Sequence, residues 1–159
     1  MKRYSVDNVL RLFLARYSVK WQNPVVSNEL HNYFGNAETC AFFIKHGLKF
    51  SEEKELRQFL SRGKLVTLPD DILFKVKNFA FSSKDLEDKL KDQTYALSYK
   101  QIENKIEQGD TLLEAPIIIK FKDGTYWFFS GRKRAYAARK QGVPVQYFLA
   151  EQKEEKKDN

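Results

Sequence analysis

The chain has 159 residues, of which 42% are hydrophobic and 14% aromatic, enough to bury the core of one ordinary domain or two small ones. Its 28 basic residues outnumber 21 acidic ones, and the net charge of +7 favours an anionic partner such as nucleic acid, nucleotide or phospholipid. This composition excludes wholesale disorder, and the single cysteine, Cys40, excludes an internal disulfide and a zinc site built on two or four cysteines.

Neither a membrane anchor nor a metal site is expected. No stretch approaches the roughly 18 consecutive apolar residues of a membrane span, and the start, Met1-Lys2-Arg3-Tyr4, is not followed by a secretory signal. We therefore expect a soluble, cytoplasmic protein with no membrane partner. His31 and His46 are the only histidines, and the sequence offers them no third and fourth ligands, so we expect no bound metal.

The spacing of capping residues and glycines in residues 1–63 indicates a series of short helices. A first helix is expected over Val6–Tyr17, because its apolar residues recur at helical spacing. Three further helices are expected, each beginning at a capping residue and ending at a glycine: Ser27 to Gly35, Asn36 to Gly47 and Ser51 to Gly63. We attribute all three glycine stops to the left-handed conformation that glycine adopts at little cost.

The helices expected from Ser27 to Gly35 and from Asn36 to Gly47 have the spacing of a helix-turn-helix unit with glycine in the turn. A DNA-reading helix needs a polar or basic face, whereas the helix that begins at Asn36 contains the sequence Cys40-Ala41-Phe42-Phe43-Ile44-Lys45. The interpretation that we favour is a helical module that packs against the rest of the chain. DNA reading by this unit and a protein partner bound through it are the alternatives.

From Lys64 the pattern changes. Residues 65–74 alternate loosely between apolar and polar, as in a strand, and are interrupted by Pro69-Asp70-Asp71. Two capping boxes then predict two helices: one pairs Ser82 with Asp85, and the other pairs Ser98 with Gln101 and precedes a helix that ends at Gly109.

The clearest pattern begins at Ala115. Ala115–Phe121 is rich in β-branched residues and predicts a strand, Asp123-Gly124 predicts a hairpin turn, and Tyr126–Phe129 predicts the partner strand. An alanine-rich helix from about Lys133 to Gln141 and a last strand over Val143–Leu149 follow. Because neighbouring strand residues face opposite sides, two of the four aromatic residues Tyr126–Phe129 belong to the core, and the other two either pack there or stack on bases.

Together these patterns predict an α+β protein. We expect a small mixed sheet with helices over residues 64–150, preceded by a helical segment over residues 1–63. Residues 151–159 contain no apolar side chain and are expected to form a disordered, charged tail.

Positive charge is concentrated near the end of the chain, since residues 115–149 hold seven basic side chains and a single acidic one, Asp123. The strand-to-helix junction reads Ser130-Gly131-Arg132-Lys133-Arg134. A helix start offers unpaired N–H groups, Gly131 lets an anion approach the backbone, and three cations oppose the helix dipole, so stability alone does not favour them there. We therefore predict phosphate or nucleotide binding by five residues: Ser130, Gly131, Arg132, Lys133 and Arg134. Four further cations are predicted to contact nucleic acid: Lys120, Lys122, Arg139 and Lys140. The alternative is a solvated, basic first turn.

The segment from Ala115 to Leu149 resembles the ParB/sulfiredoxin superfamily. Members of that superfamily have a proline-isoleucine strand, here Pro116–Phe121, followed by a hairpin. A glycine-x-x-arginine motif, here Gly131 to Arg134, then opens an Arg/Ala-rich helix, and a glycine precedes a short valine-rich strand, here Val143-Pro144-Val145. The resemblance extends loosely back to Leu65.

The resemblance implies a small sulfiredoxin-like α/β fold whose glycine-x-x-arginine loop holds nucleotide phosphates. ParB proteins bind and hydrolyse CTP and load onto DNA, sulfiredoxins phosphorylate an oxidised cysteine with ATP, and other relatives are free-serine kinases or reported nucleases. The implied partner is therefore a nucleic acid or a nucleotide, and the implied cofactor is a nucleotide with Mg²⁺. A phosphoryl-transfer enzyme (nuclease, NTPase or small-molecule kinase) is one alternative, and a protein-interaction adaptor without catalysis is another.

The motif also departs from the superfamily. Arg132 stands where sulfiredoxins have a cysteine and where ParB proteins have a glutamate. A cation does not act as a general base, so sulfiredoxin activity is not expected and turnover is left open. No catalytic residue is identified, because the sequence does not distinguish among the acidic candidates: Asp70, Asp71, Glu87, Asp88, Glu103 and Glu107.

Arg134 is expected to anchor the phosphate, because a guanidinium one turn into the helix grips two phosphate oxygens at once. Replacing it by alanine should weaken phosphate binding by roughly 1.5–3 kcal/mol, the contribution of a charged hydrogen bond, with little change in folding. Titration calorimetry with nucleotides and DNA measures the loss. Binding equal to that of the wild-type protein by a folded Arg134→Ala variant would contradict the prediction.

Overall fold

A computed structural model of the chain describes residues 19–79 and 83–153. Within these residues the predicted α+β class is confirmed: seven α-helices accompany one two-stranded and one four-stranded sheet. The predicted helix over Val6–Tyr17 and residues 154–159 of the predicted tail lie outside the described residues. The elements are, in chain order, β1 (Lys20–Gln22), a 3₁₀ turn (Val26–Asn28), α1 (His31–Phe34), α2 (Ala37–Lys45), α3 (Glu53–Leu60), β2 (Lys64–Val66), α4 (Asp70–Leu73), α5 (Ser83–Lys89), α6 (Gln93–Gln108), β3 (Leu112–Glu114), β4 (Ile117–Lys120), β5 (Tyr126–Ser130), α7 (Arg132–Lys140) and β6 (Tyr147–Glu151).

The described residues form two compact units, each assembled from separate stretches of chain. The first unit comprises residues 19–22, 83–115 and 131–145, and the second comprises residues 23–79, 116–130 and 146–153. Both sides of Gly63 belong to the second unit, and what changes at this glycine is the secondary structure, from helix α3 to strand β2. The predicted division at residues 63 and 150 stays a prediction.

In the first unit, β1 and β3 form a short parallel pair in which Trp21 lies opposite Leu113. The indole Nε1 of Trp21 donates to the carbonyl of Pro144 at 2.9 Å. Helices α6 and α7 pack against each other in the same unit. The sequence patterns predict neither β1 nor β3, because a strand of three residues is too short for its alternation of apolar and polar residues to be recognised.

The second unit contains the four-stranded sheet, in the order β2-β6-β4-β5. Strands β4 and β6 are parallel, and the pairs β4–β5 and β2–β6 are antiparallel. The predicted hairpin is confirmed: Ile119 lies opposite Trp127, and the N–H of Phe121 donates to the carbonyl of Thr125 at 2.8 Å across the Asp123-Gly124 turn. The last predicted strand begins later than expected, at Tyr147, and includes Glu151 of the predicted tail.

Aromatic side chains fill the space between α2 and the hairpin. The ring of Phe42 stacks on that of Trp127 at a centroid distance of 4.1 Å, and the fully buried Phe43 lies 5.2 Å from Phe121. The apolar residues of α2 therefore pack within the second unit, as the packing interpretation expects. On β5, Trp127, Phe128 and Phe129 are all buried, which leaves only Tyr126 partly exposed among the rings that were considered for base stacking.

Three helix starts differ from the sequence prediction. Ser27 does not cap the helix expected from there to Gly35: it lies in the 3₁₀ turn, and α1 begins at His31. The predicted boundary at Ser98 is wrong: α6 is continuous from Gln93, and the side chain of Asp92 caps it by accepting from the N–H of Tyr95 at 2.9 Å. Helix α3 starts after Glu52, with no side-chain cap from Ser51. The predicted cap of α2 is confirmed, since the Asn36 side chain accepts from the N–H of Thr39 at 3.0 Å. More residues are able to cap a helix than actually do so, and local sequence alone therefore does not identify the residue that caps each helix.

The glycine stops have different physical causes. Gly47 has a φ of 81° and supplies the left-handed turn expected after α2. Gly35 has a φ of −97°, so the left-handed explanation is wrong there. Gly63 has no positive φ either; a Cβ at this position would collide with the ring of Phe148 in β6, so glycine is required by close approach.

Replacing Gly63 by alanine should destabilise the protein by about 1–3 kcal/mol, the usual cost of overpacking a tight site. Urea denaturation followed by circular dichroism measures the change in the free energy of unfolding. The double variant Gly63→Ala/Phe148→Leu should be less destabilised than the sum of its single variants, because the smaller side chain removes the collision. Strictly additive effects would contradict a steric role for Gly63.

Candidate phosphate-binding site

Helix α7 begins where the chain leaves β5. Its N-cap, Gly131, has a φ of 93°, in the left-handed region that glycine adopts at little cost, and the backbone turns there from strand into helix. The first turn contains no acidic residue and three basic ones, Arg132, Lys133 and Arg134. Cations in this position oppose the helix dipole, so the charge pattern is not explained by helix stability.

Lys133 is turned toward helix α6. Its Nζ lies 3.1 Å from Ser98 Oγ and 4.8 Å from the centre of the Tyr95 ring. The Nζ of Lys89, in the last turn of α5, lies 5.7 Å from the centre of the same ring. Two ammonium groups from separate helices therefore converge on one aromatic ring, each stabilised by about 0.5–1 kcal/mol or more through the ring's negative face.

Arg132 adds a third positive charge. Partial burial lowers the pKa of Lys89, and the charge of Arg132 lowers it further. Burial raises the pKa of Tyr95 to about 12, the phenol of Tyr136 adds to that rise, and Arg132 opposes it. Arg132, the neighbour of Lys133 in the chain, therefore adds a charge that repels that of Lys89. An anion bound among these cations would relieve the repulsion.

These side chains border a shallow surface depression of about 400 Å³, which we name the cationic depression. It is lined by six residues, all in the first unit: Asp88, Lys89, Asp92, Thr94, Tyr95 and Lys133. Both carboxylates in it are engaged. Asp88 lies 3.2 Å from the Nζ of Lys91, and Asp92 accepts from the backbone as the cap of α6.

Two helix N-termini lie at the same end of the first unit because α6 and α7 run in the same direction. Lys133 contacts Ser98, and further along both helices the side chain of Gln141 donates to the carbonyl of Glu103 at 3.2 Å. Because the second contact lies further toward the C-terminus than the first in both helices, the first turns of α6 and α7 are neighbours. Each N-terminus carries about half a positive charge, which adds to that of the side chains.

Arg134 is directed away from this group. Its Nε donates to the carbonyl of Glu114, in β3, at 2.8 Å. Its Nη2 is buried and has no hydrogen-bond partner among the residues that the structure describes. Arg134 therefore links α7 to β3, a structural contact that the sequence does not reveal.

Ser130, the first of the predicted phosphate-binding residues, has a different partner. Its hydroxyl donates to the carboxylate of Glu29, which is only 7% exposed and also accepts from the Asn32 side chain at 2.9 Å. These three residues belong to the second unit. The buried carboxylate has the hydrogen bonds that a buried charge requires, and the Ser130 hydroxyl is engaged with it.

The four cations predicted to contact nucleic acid are not gathered in one place. Arg139 and Lys140 lie in the last turn of α7, where the Nζ of Lys140 is 3.7 Å from a carboxylate oxygen of Glu103. Lys120 and Lys122 belong to the second unit, and the Nζ of Lys120 lies 5.8 Å from the centre of the Tyr126 ring. Of the predicted site residues, Lys133 is the one among the residues that line the cationic depression.

The sequence patterns do not single out Lys89, Thr94 or Tyr95. The signal that would have found them is Asp92, whose recognition as the cap of α6 places Thr94 and Tyr95 in a helical first turn and Lys89 just before it. The capping box at Ser98 masks that signal. The approach of Lys133 to Tyr95 depends on packing between distant segments and has no local signature.

A second depression, of about 310 Å³, lies in the second unit against strands β2 and β6. It is lined by Arg62, Lys64, Val66, Leu149, Glu151 and Lys153. Strand β2 is at the edge of its sheet, where lysine discourages pairing with another chain. Protection of the sheet edge therefore accounts for the lysine on β2, and this depression is the weaker candidate.

Within residues 19–79 and 83–153, no three His, Cys, Asp or Glu side chains are grouped so that they could hold a metal ion. His46 instead contacts the carboxylate of Asp123 at 2.8 Å. The pKa of Asp123 is lowered, mainly because the backbone N–H of Thr125 donates to the same carboxylate. None of the helices in these ranges is long and apolar enough to cross a membrane. Comparison of the chain with protein-family models, with curated proteins and with solved structures found no match.

Arg134→Ala should lower the free energy of unfolding by about 1.5–3 kcal/mol, because a charged hydrogen bond to Glu114 is lost. This differs from the small effect on folding that the sequence suggests. The matched control is Lys105→Ala, an exposed residue in the last turn of α6, which should change stability by less than about 0.5 kcal/mol. Urea denaturation measures both, and equal stability of the two variants would contradict the structural role of Arg134.

Proposed function

We propose that this chain is a ParB/sulfiredoxin-like protein that holds the phosphate groups of a nucleic acid or nucleotide in the cationic depression. The observation that carries the proposal is the convergence of Lys89 and Lys133 on the ring of Tyr95, with Arg132 beside them. A phosphate group combines negative charge with several hydrogen-bond acceptors, which suits such a group of donors.

The order of elements supports the family assignment. The segment that resembles the superfamily forms β4, the hairpin to β5, the glycine turn, α7 and β6, in the order that the resemblance implies. A sulfiredoxin-like fold and a cytoplasmic location, both expected from the sequence, are part of the proposal.

Residue roles in the proposal differ from those in the sequence interpretation. Arg134 is directed to β3 and contributes to the site mainly by fixing the start of α7. Lys133 and Lys89 take the anchoring role, since their ammonium groups lie at the depression. Arg132, which replaces the catalytic residue of the relatives, adds charge, so binding is favoured over turnover.

Lys133→Ala and Lys89→Ala should each weaken binding by about tenfold or more, the loss expected when a charged hydrogen bond is removed. Fluorescence anisotropy with a labelled single-stranded oligonucleotide, ATP, ADP and CTP as competitors, and Mg²⁺ present measures the dissociation constants. Each substitution should also reduce the salt dependence of oligonucleotide binding by about one counterion.

Lys105→Ala is the matched control, because it removes an exposed lysine at the opposite end of α6 and should leave affinity unchanged. Equal affinity of Lys133→Ala, Lys89→Ala and the control would contradict the proposed site. Release of nucleoside diphosphate or cleavage of the oligonucleotide in the same samples would instead favour the phosphoryl-transfer alternative. If neither oligonucleotide nor nucleotide binds, the adaptor alternative remains.

A further inference from the structure

We infer that the cationic depression takes a terminal phosphate group, a phosphomonoester with three free oxygens, in preference to the diester of a continuous nucleic-acid backbone. This inference rests on the proposed function and specifies its ligand. A phosphomonoester carries a charge of about −1.5 to −2 at neutral pH, whereas a diester carries a single negative charge and has two free oxygens.

Positive charge is concentrated at the cationic depression. Lys89 and Lys133 converge on one ring from two helices, and Arg132 is close enough to repel the ammonium group of Lys89. The neighbouring first turns of α6 and α7 each add about half a positive charge. Because Asp88 is paired with Lys91 and Asp92 is engaged as the cap of α6, the remaining positive charge favours a doubly charged group over a singly charged one.

Helix α7 does not carry a continuous row of cations. A nucleic-acid backbone repeats its charge along the strand and is followed by a row of cations. After Arg134, the next cations on α7 are Arg139 and Lys140, about 10 Å from Lys133 at a rise of about 1.5 Å per residue. The carboxylate of Glu103 lies 3.7 Å from Lys140. The cations of α7 therefore form two separate groups, one at each end of the helix, and do not make a continuous row.

The lining of the depression offers hydrogen-bond donors to a group with several free oxygens. A terminal group makes its contacts inside the depression and leaves the rest of the ligand outside. The hydroxyl of Thr94 and the ammonium groups of Lys89 and Lys133 provide separate donors for its three oxygens.

A terminal phosphate group occurs both on a free nucleotide and at the end of a nucleic-acid strand. The test therefore compares two single-stranded oligonucleotides of identical sequence, labelled at the 3′ end, of which one carries a 5′-phosphate and the other a 5′-hydroxyl. AMP, adenosine and inorganic phosphate serve as unlabelled competitors. All measurements use the full chain, and circular dichroism verifies folding of each variant.

The 5′-phosphorylated oligonucleotide should bind at least about tenfold more tightly than its 5′-hydroxyl counterpart, the effect of about 1.4 kcal/mol. Lys133→Gln, which keeps much of the side-chain packing against Tyr95, should abolish that difference, and the control Lys105→Ala should keep it. Competition by AMP as strong as by the phosphorylated oligonucleotide identifies a free nucleotide as the source. Much weaker competition by AMP identifies a nucleic-acid end.

Equal binding of the two oligonucleotides, with affinity lost in Lys133→Gln, would overturn this inference and leave the proposed function standing. A preference for the 5′-phosphate that survives in Lys133→Gln would also overturn it, because the phosphate would then be held elsewhere. No binding of any oligonucleotide, nucleotide or inorganic phosphate would overturn both the inference and the proposed function.

Discussion

The parallel packing of α6 against α7 determines the chemistry of the first unit. It brings the first turns of the two helices together, and with them the side chains of Tyr95 and Lys133. Two parallel helix dipoles side by side repel each other, and basic residues at their positive ends increase that repulsion. The arrangement persists because α7 is fixed at other points, above all by the hydrogen bond from Arg134 to β3 and by its buried alanines, Ala135, Ala137 and Ala138.

Stability and function therefore divide the basic residues of the α7 first turn. Arg134 is a structural contact, since its guanidinium donates to a backbone carbonyl of β3. Lys133 and Arg132 gain less from the fold, because their charges oppose the helix dipole and lie near Lys89. The buried Glu29 offers a contrast. Its carboxylate accepts from Ser130 and Asn32, so this charge is satisfied by its own unit and calls for no external ligand.

Most elements with a strong local signature were predictable from the sequence. The hairpin around Asp123-Gly124 and the alanine-rich helix have periodicities and turn residues that specify one structure. Strands β1 and β3 were not predictable, because each has three residues and forms only by pairing across the chain. The boundary of α6 was missed because Asp92 and Ser98 are both acceptable caps, and tertiary packing selects the first.

The candidate site was predictable only in part, for the same reason. A glycine followed by three cations identifies the start of α7, because this signal lies in consecutive residues of the sequence. The partners of those cations come from α5 and α6, and no pattern within either segment points to α7. Likewise, the structural role of Arg134 depends on β3, which is itself defined by long-range pairing.

The most direct test of this account is an NMR titration of the ¹⁵N-labelled protein with inorganic phosphate, which reports the amides that sense the bound anion. The account predicts a saturable response with its largest shifts at Thr94, Tyr95, Arg132 and Lys133, in the first turns of α6 and α7. Largest shifts at Lys120 and Lys122, or at Lys64 and Lys153 in the second unit, would contradict it, as would the lack of any saturable shift.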